Sequence, residues 1–278
     1  MRHDDTRRRP TSYAARGRTL RLLVAGGVLA LVAAGCGSEE TTATSRALDP
    51  QVIKPGTLTV CTSIPYPPFE FRQKGEPVGF DIDLANEVAK KLELKADIVN
   101  AGFDDIASGQ LLNNSTCDVA VAGLTINGER ARVLDFSSPY FDAAQAMVVK
   151  KGSGIDSLED LGGQKIGVQS GTTGEIYVTD HAPTDAEVVP LPDASDVDAA
   201  LQAGTVVAGV YDNTVVGDVI SRNPDFEVAT QFDTGEQYGM AVKKDGSVDL
   251  LRFINNVLAD LKSDGGYDDI YDKWFGTS

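Results

Sequence analysis

Histidine is scarce in this chain: only His3 and His181 occur in 278 residues, and only His181, in the loop-like stretch DHAPTD, lies outside the N-terminal region. Without a second histidine there is no basis for a histidine-rich metal centre, and a Ser-His-Asp relay finds no suitable setting. Cysteine is thin as well, with Cys36, Cys61 and Cys117 alone. Positive charge is short: 25 Lys and Arg stand against 41 Asp and Glu, a formal net charge of −16. The apolar run Leu22 to Ala34 is 13 residues long, below the roughly 20 needed to cross a bilayer.

Arginines at 2, 7, 8, 9, 16, 18 and 21 precede that apolar run, which is the layout of an export signal. The run closes on VAAGCG, small residues leading into Cys36, so residues 1–35 are expected to be a lipoprotein signal peptide and Cys36 the lipidated residue. An ordinary secretory signal in which Cys36 is incidental is the alternative. RRRPTSY lacks the apolar residues that follow a twin-arginine pair, which leaves the export route open. Cleavage there would leave 18 basic against 39 acidic residues (25 − 7 and 41 − 2), a balance of −21. Such a surface repels nucleic acid and anionic lipid, so membrane attachment is expected through the lipid anchor only. Residues 36–55, polar and poor in aromatics, read as a flexible tether.

From Gly56 onward the pattern is that of alternating strands and helices. GTLTVCTS is a strand, and the prolines of IPYPPFEF end it. GFDIDLANEVAKKLEL puts Phe80, Leu84, Val88 and Leu92 on one helical face, with Asp81 or Asp83 available as N-cap. A strand near Ala96–Val99, a helix over Phe103–Leu112 and the buried strand CDVAVAG follow, which predicts a parallel sheet. From Ala146 the pattern restarts: AMVVKKG as strand, a capping box from Ser157 to Asp160, QKIGVQ as strand, a helix capped at Ser195 and stopped by Gly204, and a strand ending at Asp212. EQYGMAVKK is another strand, and Leu251, Ile254, Leu258 and Leu261 mark an amphipathic helix that DGGYDD breaks before a last helix carrying Trp274. DGGYDD lacks the ligand spacing of a calcium loop and reads as a turn with a following N-cap.

Cys61 and Cys117 form an even pair suited to an oxidising compartment. Placed on neighbouring parallel strands with tips at Ser63 and Gly123, they are offset by about 13 Å, beyond the roughly 7 Å Cα limit for a bridge. Two buried free thiols are therefore expected.

Ligands of open parallel sheets bind beyond the carboxyl ends of the strands. Those ends offer Ser63, Gly123 with Thr125, the loop Gln169–Thr173, and Asp212, with Arg130 just beyond one of them. The loop GVQSGTTGE suits either an anion cradle or a plain N-cap. A guanidinium matches a carboxylate and an aspartate matches an ammonium, the two charges of a free α-amino acid. A solvated loop arginine is the plainer account of Arg130.

PYPPFEF, GFDIDLANEVAKKL, AGLTINGERARVLDFSSPYF, GVQSGTTGE, EQYGMAV and DGGYDDIYDKWFG together resemble, in order and spacing, the polar amino-acid-binding proteins of bacterial ABC importers, solute-binding family 3, across roughly residues 56–276. The resemblance implies an α/β fold of the two-lobed, periplasmic-binding-protein-like type II (Venus flytrap) kind, each lobe a mostly parallel sheet flanked by helices. It implies a first lobe from 56–139 and 239–278, a second from 145–233, and hinges near 140–144 and 234–238. Arg130 then matches the family residue for the α-carboxylate, helped by the Thr125 hydroxyl and amide and by Thr173 in the loop of the second lobe, with Thr172 counted among the ligand-binding residues. Asp212 matches the one for the α-ammonium, with the Gly123 carbonyl. Tyr66 and Phe103 match the aromatic walls, though Phe103 is also suited to core packing. Ser63 stands where many relatives carry an acid, and Gln169 where glutamine binders can carry a lysine; glutamine or glutamate is favoured over a basic amino acid. The expected protein is an exported, lipid-anchored monomer that delivers a polar amino acid to an ABC permease, not an enzyme, with no cofactor, metal or nucleic acid. Two rivals are a cyclohexadienyl-dehydratase-like enzyme, for which Glu70, Glu129 and Glu175 supply nearby acids, and the ligand-binding module of a sensory system.

Overall fold

The structure is a computed structural model that describes residues 48–276. The expected signal peptide over 1–35, Cys36 and residues 37–47 of the expected tether lie outside the described residues. The chain runs through β1 (Thr57–Thr62), the hairpin β2 (Phe71–Gln73) and β3 (Glu76–Val78), α1 (Phe80–Lys91), β4 (Lys95–Asn100), α2 (Phe103–Ala107), α3 (Gln110–Asn113), β5 (Val119–Ala120) and β6 (Leu134–Phe136). It continues through β7 (Phe141–Lys150), β8 (Lys165–Gln169), α4 (Thr173–His181), β9 (Glu187–Leu191), α5 (Ala194–Ala203), β10 (Ala208–Asp212), α6 (Val216–Arg222) and β11 (Phe226–Tyr238). The C-terminal part holds β12 (Ala241–Lys243), α7 (Val248–Asp264) and α8 (Gly266–Phe275).

Two five-stranded sheets result, ordered β4-β1-β5-β12-β6 and β11-β7-β10-β8-β9. In the first, β4, β1 and β5 are parallel and β12 runs against both β5 and β6, so only β12 opposes the rest. In the second, β9, β8 and β10 are parallel and β7 runs against both β10 and β11. The fold is thus α/β with two lobes, each a mostly parallel sheet flanked by helices, as expected. The chain passes between the sheets from β6 to β7 and returns from β11 to β12, and these passages pair Phe141 with Tyr238 and Ala143 with Glu236.

Helix α7 buries Leu250, Ile254, Val257, Leu258 and Leu261, each contributing about 1.5–3 kcal/mol by leaving water. Helix α8 packs against α1 of the first lobe, where Tyr267 meets Phe80 edge-on and Trp274 Nε1 donates to Asp83 at 2.7 Å. The Ser157–Asp160 capping box forms as read.

Other local expectations are corrected. The N-cap of α1 is Gly79, not Asp81 or Asp83: Asp81 is fully buried and is consumed elsewhere. Residues 103–112 form two helices, α2 and α3, because Gly109 turns left-handed (φ 76) where an added Cβ would lie 3.1 Å from the Val133 carbonyl oxygen. The N-cap of α5 is Asp193 rather than Ser195.

The cysteines are also corrected: Cys61 and Cys117 form a disulfide with Cα atoms 5.8 Å apart. Strand β5 begins only at Val119, so Cys117 belongs to the connection from α3 and is free of the strand rise assumed for it. The bridge spans 56 residues of sequence, a loop for which chain entropy gives about 4 kcal/mol of stabilisation. Treatment with a reductant is expected to lower the melting temperature by several degrees, and an unchanged melting curve after verified reduction would count against that contribution.

Candidate functional site

The ten residues singled out in the sequence, Ser63, Tyr66, Phe103, Gly123, Thr125, Arg130, Gln169, Thr172, Thr173 and Asp212, all line one pocket, together with Pro65, Glu70 and Ala122. They meet there because strand ends converge: Ser63 follows β1, Gly123 follows β5, Gln169 ends β8 and Asp212 ends β10. Both sheets therefore point the carboxyl ends of parallel strands at the same space.

Arg130 opens a short 3-10 turn after β5 and is only 5% exposed. Its Nη1 donates to the Thr125 carbonyl and its Nη2 to the Gly171 carbonyl of the facing lobe, both at 2.9 Å. The guanidinium carbon lies 5.2 Å from the centre of the Phe103 ring, a cation–π contact. Burial lowers the guanidinium pKa from its ordinary value, opposed by the charges of Asp212, Glu236 and Glu129. The plainer account of a solvated loop arginine is thereby ruled out.

Asp212 enters from the second sheet and is 9% exposed. It accepts from Tyr66 Oη at 3.0 Å, from Gln145 Nε2 at 2.6 Å and from the Tyr238 hydroxyl. Burial first, and the Glu236 charge second, push its carboxyl up to about 6, against the pull of those donors. The Tyr66 and Tyr238 phenols are pushed up by burial and then by Asp212, which keeps both protonated as donors. Three of the roughly four acceptor positions of the carboxylate are thus filled from within, and one remains.

The loop after β8 resolves towards the N-cap. Thr172 Oγ1 accepts from the Glu175 amide at 3.1 Å and donates to the Gln169 carbonyl at 2.7 Å, while Glu175 Oε2 takes the Gly171 amide at 2.7 Å. Gln169 donates one amide N–H to the Pro192 carbonyl at 3.3 Å. Gly123 adopts φ 51, and a Cβ there would sit 3.1 Å from the Tyr66 ring.

Asp81, Gln145 and Glu236 were missed as participants in the sequence, and Glu70 was read only as a nearby acid for the enzymatic alternative. Glu70 is fully buried, lines the pocket, and among the described residues finds no hydrogen-bond partner within 3.5 Å for either carboxyl oxygen. Burial and the nearby Asp81 charge push it well above the usual carboxylate range, which favours its neutral form. Asp81, raised to about 6 by burial, accepts from the Gly123 amide at 2.7 Å and from Tyr140 Oη at 2.9 Å, and so supports the pocket floor. Gln145 and Glu236 form the third element, a polar layer under the pocket: Gln145 Nε2 bridges Asp212 at 2.6 Å and Glu236 at 2.9 Å. Among the described residues no group of three or more His, Cys, Asp or Glu side chains is arranged to hold a metal ion.

Comparison with known proteins bears on the family and the fold. Residues 58–277 match the family of bacterial extracellular solute-binding proteins, family 3. An ABC transporter glutamine-binding protein of Bacillus subtilis (strain 168) is 38% identical over 204 residues, covering 72% of this chain and 73% of its own. An ancestral arginine-binding protein solved with arginine superposes with a TM-score of 0.76 at 44% identity, covering 80% of this chain and 99% of its own. An ancestral arginine-binding protein solved with glutamine superposes with a TM-score of 0.76 at 44% identity, covering 81% of this chain and 100% of its own.

Proposed function

Because the chain belongs to the bacterial extracellular solute-binding proteins of family 3, we propose that it captures a free polar L-amino acid and delivers it to an ABC permease. One observation carries this: a guanidinium and a carboxylate enter a single pocket from opposite sheets, Arg130 from one and Asp212 from the other. Arg130 takes the α-carboxylate, assisted by the loops of Thr125, Thr172 and Thr173. Asp212 and the Gly123 carbonyl take the α-ammonium, and Tyr66 and Phe103 wall the side chain. The lobes close about the passages 140–144 and 234–238, which assigns 56–139 and 239–278 to one lobe and 145–233 to the other. A signal peptide over residues 1–35 directs export and is then cleaved, and a lipid on Cys36 holds the monomer at the outer face of the cytoplasmic membrane.

Glutamine is the favoured ligand. Among the described residues the lining holds no cation besides Arg130, which the α-carboxylate takes, so a second carboxylate finds no countercharge and glutamate suits the side-chain end less. A basic amino acid is the second choice, favoured by the aromatic walls and by the carbonyl oxygen of the neutral Glu70 carboxyl as an acceptor for its N–H groups. Both choices share a side chain ending in N–H donors. A thermal-shift screen of the twenty amino acids tests this, since a ligand at a thousandfold excess over Kd stabilises by about 4 kcal/mol. A rise with glutamine or arginine is expected; twenty flat responses would reject the proposal. The dehydratase alternative gains a buried acid in Glu70, and incubation with prephenate or arogenate separates it, since a binding protein leaves both intact.

A further inference from the structure

Beneath Arg130 and Asp212 lies a carboxylate that does not line the pocket. Glu236 sits on β11, opposite Ala143 of β7, where the paired strands approach the first lobe. Four donors converge on it. Oε2 accepts from Thr125 Oγ1 at 2.8 Å and from Thr173 Oγ1 at 2.6 Å; Oε1 accepts from Gln145 Nε2 at 2.9 Å and from Thr234 Oγ1 at 2.8 Å.

The origin of those donors matters more than their number. Thr125 lies in the loop after β5, on the first lobe, and Thr173 begins α4, on the second. Gln145 and Thr234 belong to the strands that join the lobes. A single oxygen can bond both threonine hydroxyls only while the two loops are within about 6 Å of each other, given O–H···O distances of about 2.7 Å; the two hydroxyl oxygens are 3.5 Å apart. A few ångströms of lobe separation must break at least one bond. Hydrogen bonds to an ionised acceptor are roughly twice as strong as neutral ones, so the closed arrangement holds an interaction that an open one lacks.

We infer that Glu236 is a positioning residue that latches the closed form, its carboxylate clasping one hydroxyl from each lobe. The inference rests on the solute-binding reading only in taking the lobes to open and close. It also alters the roles of the threonines. Each hydroxyl has one proton, and both protons go to Glu236, so towards a ligand Thr125 and Thr173 present lone pairs. The α-carboxylate is then left to Arg130 and to backbone N–H groups.

The test compares Glu236→Gln, Glu236→Ala and Thr234→Val in the full chain, with L-glutamine and L-arginine as probes. Small-angle scattering without ligand reports lobe separation, stopped-flow reports ligand dissociation, and melting curves confirm folding. Loss of one charge-assisted bond predicts about tenfold faster dissociation, with association changed less than about twofold. Both Glu236 variants are expected to dissociate faster and to scatter as more extended particles. Thr234→Val, which removes a donor without touching either clasped hydroxyl, is expected to dissociate at nearly the wild-type rate. Wild-type dissociation in Glu236→Ala, or ligand-free scattering identical to wild type, overturns the latch. Failure of both probes to bind the wild-type protein counts against the amino-acid reading instead, and the scattering comparison then decides the latch alone.

Discussion

Replacing Arg130 with alanine is expected to abolish measurable amino-acid binding while the protein still folds. The guanidinium is nearly sealed from water and reaches both lobes, through the Thr125 and Gly171 carbonyls. A ligand carboxylate placed there without it would be a buried anion with no countercharge, in a site that already holds Asp212 and Glu236. Removing one partner of a buried ion pair costs about 3–5 kcal/mol, which is a loss of roughly two to four orders of magnitude in affinity. Arg130→Lys keeps the charge but cannot hold two carbonyls and a carboxylate from one planar fork, so it should fall between wild type and alanine. Titration calorimetry reads the affinities and circular dichroism confirms the fold. Near wild-type affinity in Arg130→Ala would remove Arg130 from the site and, with it, the zwitterion reading.

The chemistry-bearing residues of the pocket were legible because they sit where topology alone puts ligands. Ser63, Gly123, Gln169 and Asp212 are at the ends of strands whose β-branched runs identify them, and Arg130 follows one such end. What stayed hidden depends on burial that no local pattern announces. Glu70 lies in PYPPFEF, a proline-rich loop where a glutamate is ordinarily exposed, yet it is packed to 0% exposure. Asp81 has the position of a helix cap, and its carboxylate instead crosses to the Gly123 amide, 42 residues away in sequence. Glu236 carries no apolar signal, because the half-buried positions that alternate with exposed ones on this stretch of β11 are themselves polar, Thr234 and Glu236. The disulfide was misjudged because the length of β5 was overestimated, and two residues of strand leave Cys117 outside the sheet.

Between pH 8 and pH 5, affinity and ligand-free stability are expected to move in opposite directions. Asp212 holds its proton up to about 6, and an ammonium requires the ionised form, so affinity should be level above pH 7. Below 6 it should fall by up to about tenfold per pH unit, because each unit then costs one proton released on binding. Stability follows the other sign. Asp212 and Asp81 are both raised from 3.8 to about 6 in the folded state, and Glu70 is raised as well. A raised folded pKa gives stability that is complete below the unfolded value and lost as pH climbs through the folded one. Two units correspond to at most about 3 kcal/mol for each aspartate, so the ligand-free melting temperature should rise on acidification from 7.5 to 5. Asp135 and Asp160 are lowered instead, but their contribution is lost only below the ordinary carboxylate value, outside this window. Asp212→Asn should lose binding at every pH and flatten the stability profile, whereas Asp81→Asn should flatten stability while keeping the acid-side loss of affinity. Constant affinity from pH 7.5 to 5 would mean that Asp212 does not hold the ammonium. A melting temperature that falls over the same range would mean that these carboxyls are not the buried, proton-holding groups their surroundings make them.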